Sequence, residues 1–210
     1  MAIASLPDDR SWYIVGRWQE FEGESRANLL RVVSLVVFYA VEWYQFATTG
    51  ANDIAAQAFH RQCTLIVAAW SIVAIAVLLC LWRRIFPAIV KYLSTAGDLL
   101  LLTLLARAGL GPQSPLVQVY FLVLGLAALR FSVGLIWFAT LGSMIGYLAL
   151  VGMRDDAWFD AVHATPVVEQ LVTLAALGLT GIVLGQVVRQ VKSMALEYAE
   201  RSRSKGGGAA

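Results

Sequence analysis

The stretch QCTLIVAAWSIVAIAVLLCLW, residues 62–82, runs for 21 residues without an acidic or basic side chain. Coiled as a helix it would span about 32 Å, which matches the roughly 30 Å hydrocarbon core of a bilayer. Further apolar runs lie on either side of it, at 29–48, 88–106, 116–129, 133–152 and 167–188, the fourth being the shortest. The chain of 210 residues is 59% apolar and 14% charged, with a mean hydropathy of +0.69. Soluble proteins carry charge on about a quarter of their residues. The expected fold is therefore all-α: a polytopic integral membrane helical bundle of about six transmembrane helices. Six crossings leave about 90 positions for ends and loops. Neither end reaches the roughly 40 residues a chain needs to fold without staples, which excludes a self-contained kinase, cyclase or hydrolase.

Sixteen basic against 14 acidic residues give a net charge of +2, too balanced to point to nucleic acid. Position matters more than sum. With an even number of crossings both ends share one side, and 13 Lys and Arg fall there against three (Arg61, Arg107 and Arg154) on the other. The positive-inside rule then predicts both termini in the cytoplasm of a bacterial cell. The basic turn at Arg83-Arg84 fits the inner side, while the loops 50–61 and 153–166, with Asp53, Asp155, Asp156 and Asp160, fit the outer. Residues 1–28 read as a cytoplasmic segment, 29–188 as the membrane domain, 189–203 as a cytoplasmic helical extension and 204–210 as a flexible tail. No cleaved signal is expected, because the first 27 residues contain acids and no apolar core. Cys63 and Cys80 lie about 25 Å apart along one helix and cannot pair with each other.

The sixth span carries Leu177, Gly181, Leu184, Val188, Val191, Ala195 and Tyr198 at alternating steps of four and three. That is an a/d seam continuing from lipid into water without a breaker. Val188, Val191, Ala195 and Tyr198 are expected to form a signal helix. Gly181 and Gly185, and likewise Gly142 and Gly146 on the fifth span, present small-xxx-small faces suited to helix packing or a homodimer.

Asp98 falls about ten residues into the third span, where an unpaired carboxylate costs about 2.5 to 3.5 kcal/mol. Glu42 lies near the outer end of the first span, with Tyr39 and Gln45 beside it. These four are the candidates for a ligand-, ion- or proton-responsive site; the plainer reading of Asp98 is a hydrogen bond to Thr95, Thr103 or a neighbouring helix that fixes packing. Arg31, Lys91, Arg107, Arg130 and Glu169 lie near span ends and read as snorkelling anchors. His60, Cys63, Asp160 and His163 share the outer side and are weak candidates for a metal. Haem is disfavoured because neither histidine falls within a span, so no cofactor is expected. No nucleophile motif, HExxH or P-loop occurs, and no enzymatic activity is expected.

Arg17-Trp18-Gln19-Glu20-Phe21, Asn28-Leu29-Leu30-Arg31, Asp98-Leu99-Leu100-Leu101-Leu102-Thr103, Ser114-Pro115-Leu116-Val117-Gln118-Val119-Tyr120-Phe121 and the exit after Gly185-Gln186 form a pattern along the chain. Over residues 17 to 200 it resembles the multi-span membrane input region of bacterial histidine kinases and nucleotide cyclases. The resemblance implies a six-span receiver that dimerises and passes signals through its last helix. The departure is that no phosphoacceptor or cyclase domain follows. The expected function is thus a non-enzymatic sensor or signal-transduction input module. Its expected partners are the lipid bilayer, a second copy or a membrane complex, and a cytoplasmic signalling protein. A small transporter or channel using Asp98 and Glu42, and an accessory subunit of a membrane complex, are the alternatives.

Overall fold

The computed structural model describes residues 7–50, 53–83, 88–109, 111–154 and 166–206. These residues form α1 (Pro7–Gln45), α2 (Ile54–Trp82), α3 (Ala88–Ala108), α4 (Val119–Leu129), α5 (Val133–Arg154) and α6 (Val167–Gly206), with no strand among them. A π-helical turn, Phe46–Gly50, continues α1, and short 3₁₀ turns at Gly111–Gln113 and Pro115–Gln118 lead into α4. Five helices are long and apolar enough to cross a membrane; the stretch Pro115–Leu129 is apolar but shorter.

Local chemistry sets the boundaries. The Asp53 carboxylate accepts the Ala55 N–H at 3.0 Å and starts α2, about two turns before the run of residues 62–82. Much of what reads as an outer loop at 50–61 is therefore helix. Ser114 caps the turn before α4 by accepting the Leu116 N–H at 3.2 Å, with Pro115 preset behind it. Between α4 and α5 the chain reverses at Arg130-Phe131-Ser132, where Phe131 takes a positive φ of 49°. Helix α1 runs through position 28 and α6 through positions 188 and 203 without interruption.

Side-chain pairings fix the directions. Tyr39 meets Thr64 and Asn28 meets Ala74, so α1 and α2 are antiparallel. On α5, Gly134, Gly142 and Gly146 face Tyr92, Leu99 and Thr103 in turn, so α3 and α5 are parallel. Gly181 faces Thr140 and Thr173 lies beside Tyr147, so α6 runs back against α5. The helices thus alternate. α1, α3 and α5 begin at one end, called basal below, and α2, α4 and α6 begin at the opposite, apical end.

Short α4 packs against α1, α3, α5 and α6. The core around it includes Leu102, Tyr120, Leu124, Leu135, Ile136, Leu150 and Leu177, all fully buried. Helices α1, α2 and α6 lie outside and expose Val36, Val41, Ile72, Leu78, Leu171 and Val183. Apolar surface on this scale is stable when the surrounding solvent is hydrocarbon.

Three of the four candidate packing glycines have partners within the chain. A Cβ at Gly142 would strike the Leu99 side chain, one at Gly146 would strike Thr103 and Tyr120, and one at Gly181 would strike Thr140. Gly185 is buried, with nothing within 4 Å of where its Cβ would stand.

Candidate functional site

Four charged side chains gather in the basal half. Glu24, Asn28 and Arg31 occupy one face of α1 at steps of four and three. Lys91, Thr95 and Asp98 repeat those steps on α3. Because the two helices run parallel, the two faces meet in register.

Asp98 is the inner anchor. Arg31 donates Nε to Asp98 Oδ1 at 2.8 Å and Nη2 to Oδ2 at 2.6 Å, a bidentate fork. Trp70 of α2 donates its indole N–H to Oδ1 at 2.7 Å. The remaining face of Arg31 is held by Asn28, whose Oδ1 accepts Nη1 at 2.8 Å. Asn28 in turn donates to the Ala74 carbonyl of α2 at 3.3 Å. One arginine thereby ties α1 to both α2 and α3.

Arg130, at the α4–α5 reversal, builds the outer layer. Its Nη2 lies 2.7 Å from Glu24 Oε1 and donates to Ser94 Oγ at 3.1 Å. Its Nη1 donates to the Lys91 carbonyl at 3.1 Å and to Thr95 Oγ1. The Glu24–Arg130 contact is a charge pair without hydrogen-bond alignment at Oε1, and Arg130 Nε has no partner among the described residues. Gly23 makes the approach possible, because a Cβ there would sit 2.8 Å from the Leu129 carbonyl oxygen.

All four charged side chains are 3% exposed or less. Two anions against two cations leave the cluster neutral, which is how charge survives out of water. Arg31 and Arg130 are therefore not snorkelling anchors: their guanidinium groups turn inward because two buried carboxylates await them. Asp98 bonds neither Thr95, which accepts from Arg130, nor Thr103, which is paired with Tyr120 at 2.7 Å.

Glu42 lies elsewhere. It is at the apical end, about 16 Å along α1 from Arg31, and meets His60 of α2. Nδ1 of His60 lies 2.9 and 3.0 Å from the two carboxylate oxygens. Phe46 stacks on the imidazole with centroids 4.2 Å apart and planes within 8°. Trp43 is tilted against it at 5.4 Å and Tyr39 stacks at 6.3 Å. Tyr39 Oη also shares a 3.2 Å hydrogen bond with Thr64, while Gln45 is exposed at the end of α1. The fold thus separates Asp98 from Glu42 and forms two sites.

Cys63 is buried one turn below His60, and Asp160 and His163 lie outside the described residues. Among the described residues no three His, Cys, Asp or Glu side chains gather as a metal site. On α6, Leu177 and Val188 are buried, Val191 and Ala195 are exposed, and the helix continues through Tyr198.

The sequence reading missed Glu24, Trp70 and the pairing roles of Arg31 and Arg130. The available signal was the shared four-and-three spacing of polar residues on two helices of like direction. No protein family, curated protein or solved structure matches this chain.

Proposed function

We propose that the chain is a non-enzymatic sensor, a signal-transduction input module of the bacterial cytoplasmic membrane with both ends in the cytoplasm. It relays a ligand or membrane stimulus through α6 to a second copy and a cytoplasmic partner. The observation that carries this reading is α6 itself, 40 residues without a break. That is about 60 Å, twice the hydrocarbon thickness, so a rigid rod stands well clear of the bilayer.

A route from the buried charges to that rod runs through contacts already described. Glu24 and Arg31 hold α1 to α3 and to the α4–α5 reversal, and both α4 and α5 pack on α6. Beginning beside the buried Val188, the exposed Val187, Val191 and Met194 recur at steps of four and three, a stripe suited to packing a second copy. Both oxygens of Asp98 are already occupied by Arg31 and Trp70, which suits a lock between helices better than a path for a transported ion. A switch needs two arrangements that a stimulus separates; opening this lock supplies the second.

The test uses a spin label at Ser193→Cys in chains whose Cys63 and Cys80 are replaced by Ala, reconstituted in nanodiscs. Asp98→Asn, which weakens the lock, is expected to shift the distance between labels in paired chains. An unchanged distribution, or reporters fused at residues 1 and 210 landing on opposite sides of the membrane, would remove the reading.

A further inference from the structure

The apical cluster plays no part in that relay, yet its chemistry is specific. We propose that His60 is a proton-binding site, at which a proton taken from the apical compartment closes a clasp between α1 and α2. The proposal rests on the sensor reading only for its consequence, where it supplies the stimulus that reading lacks.

The geometry defines the chemistry. With Nδ1 facing both Glu42 oxygens at 2.9 and 3.0 Å, the ring must present an N–H there, so in the neutral imidazole Nε2 is the free base. A proton from water adds at Nε2, and the charge spreads over a ring already paired with a carboxylate. The face of Phe46, stacked at 4.2 Å, stands within the roughly 6 Å at which an aromatic face attracts a cation, and Trp43 is tilted against the ring at 5.4 Å. A carboxylate at one ring nitrogen and an aromatic face against the ring make a site shaped for an imidazolium. Histidine is the side chain whose ordinary titration falls between pH 5 and 8. The His60 and Glu42 side chains are 17% and 16% exposed and lie near the apical ends of α1 and α2.

Few other ionisable groups surround it. From α1 come Glu42 and the Tyr39 phenol, the latter engaged with Thr64. From α2 come the buried Cys63, which lies in the field of Glu42, the exposed Arg61, and Asp53, engaged at the helix start. On α3, which packs on α2, Arg107 in the last turn is exposed. Among the described residues, the His60–Glu42 pair is the ionisable link between α1 and α2 at this end.

The sign follows from the two partners. The pair carries both charges only while Glu42 is a carboxylate and His60 holds its second proton. The clasp holds α1 near α2 in that state and loosens when either charge is lost.

The experiment places spin labels at Ala47→Cys and Ala58→Cys, with Cys63 and Cys80 replaced by Ala, in nanodiscs between pH 5 and 9. Ring NMR follows His60 in parallel, with His163→Gln assigning the only other histidine. The expected result is a label separation that grows with pH along a one-proton curve whose midpoint matches the ring titration. His60→Gln should flatten that curve. Glu42→Gln, which leaves the imidazole in place, should also flatten it. A flat separation in the parent chain while His60 titrates, or the same curve persisting in His60→Gln, would overturn the proposal. A clasp that responds while the Ser193 label stays still would leave this proposal standing and remove the sensor reading instead.

Discussion

The basal and apical sites each tie α1 to neighbouring segments through acid–base pairs, yet the two are built in opposite ways. At the base, Glu24, Arg31, Asp98 and Arg130 are sealed from solvent and balanced two against two. Both bases there are arginines, whose charge is permanent in proteins. At the apex the base is a histidine, three rings surround it, and the pair is several-fold more exposed. The comparison teaches that burying a charge commits it. A sealed guanidinium–carboxylate fork yields when helices move apart, whereas an imidazole can change its charge in place.

The largest effect tests that commitment. Asp98→Ala removes the acceptor of three hydrogen bonds and strands Arg31 in a dry site, with an expected loss of about 3 to 5 kcal/mol in reversible unfolding from mild detergent. Replacing both partners, Arg31→Met with Asp98→Leu, should recover most of that loss, because no uncompensated charge remains. Were the double variant as unstable as the single, stability would depend on the polar network itself rather than on charge balance.

A step smaller is the close approach that lets Arg130 reach Glu24. Gly23→Ala would place a methyl 2.8 Å from the Leu129 carbonyl oxygen, a clash with backbone that only a helix shift relieves. Overpacking of this kind costs about 1 to 3 kcal/mol. The Glu24–Arg130 contact should lengthen with it, and Arg130→Leu introduced alongside should cost less than it does in the parent chain, a coupling read from a double-mutant cycle.

The two sites were unequally visible in the amino-acid sequence, for physical reasons. The helices themselves were legible because hydrocarbon admits few ways to satisfy a backbone, so residues 62–82 or 133–152 could hardly be anything else. Asp98 stood out for the same reason, as a charge in an apolar run. Its partner did not, because Arg31 lies near a span end, where a long basic side chain ordinarily reaches outward to water. Whether it turns inward depends on which helix lies alongside, and lateral order leaves no trace in hydropathy. Glu42 and His60 were both visible singly, but joining them requires α2 to begin at Ile54 and bring His60 into the helix. The decisive clue there was local, since Asp53 stands as a helix cap before a stretch that otherwise reads as a loop.

The smallest effect is the most discriminating. At neutral pH and low salt, Glu42→Gln removes one partner of a partly exposed pair, and the expected loss is about 0.2 to 1 kcal/mol, the range of accessible ion pairs. Such a contribution should shrink when salt is raised to 1 M, where charges are screened over about 3 Å rather than about 10 Å at 0.1 M. The loss caused by Asp98→Ala should stay nearly constant over the same range, because mobile ions do not enter a site whose charged side chains are 3% exposed or less. Unfolding measured at both salt concentrations separates the cases. Equal salt sensitivity of the two variants would mean that the basal charges also communicate with solvent, and the distinction between a sealed lock and a solvent-operated clasp would fail.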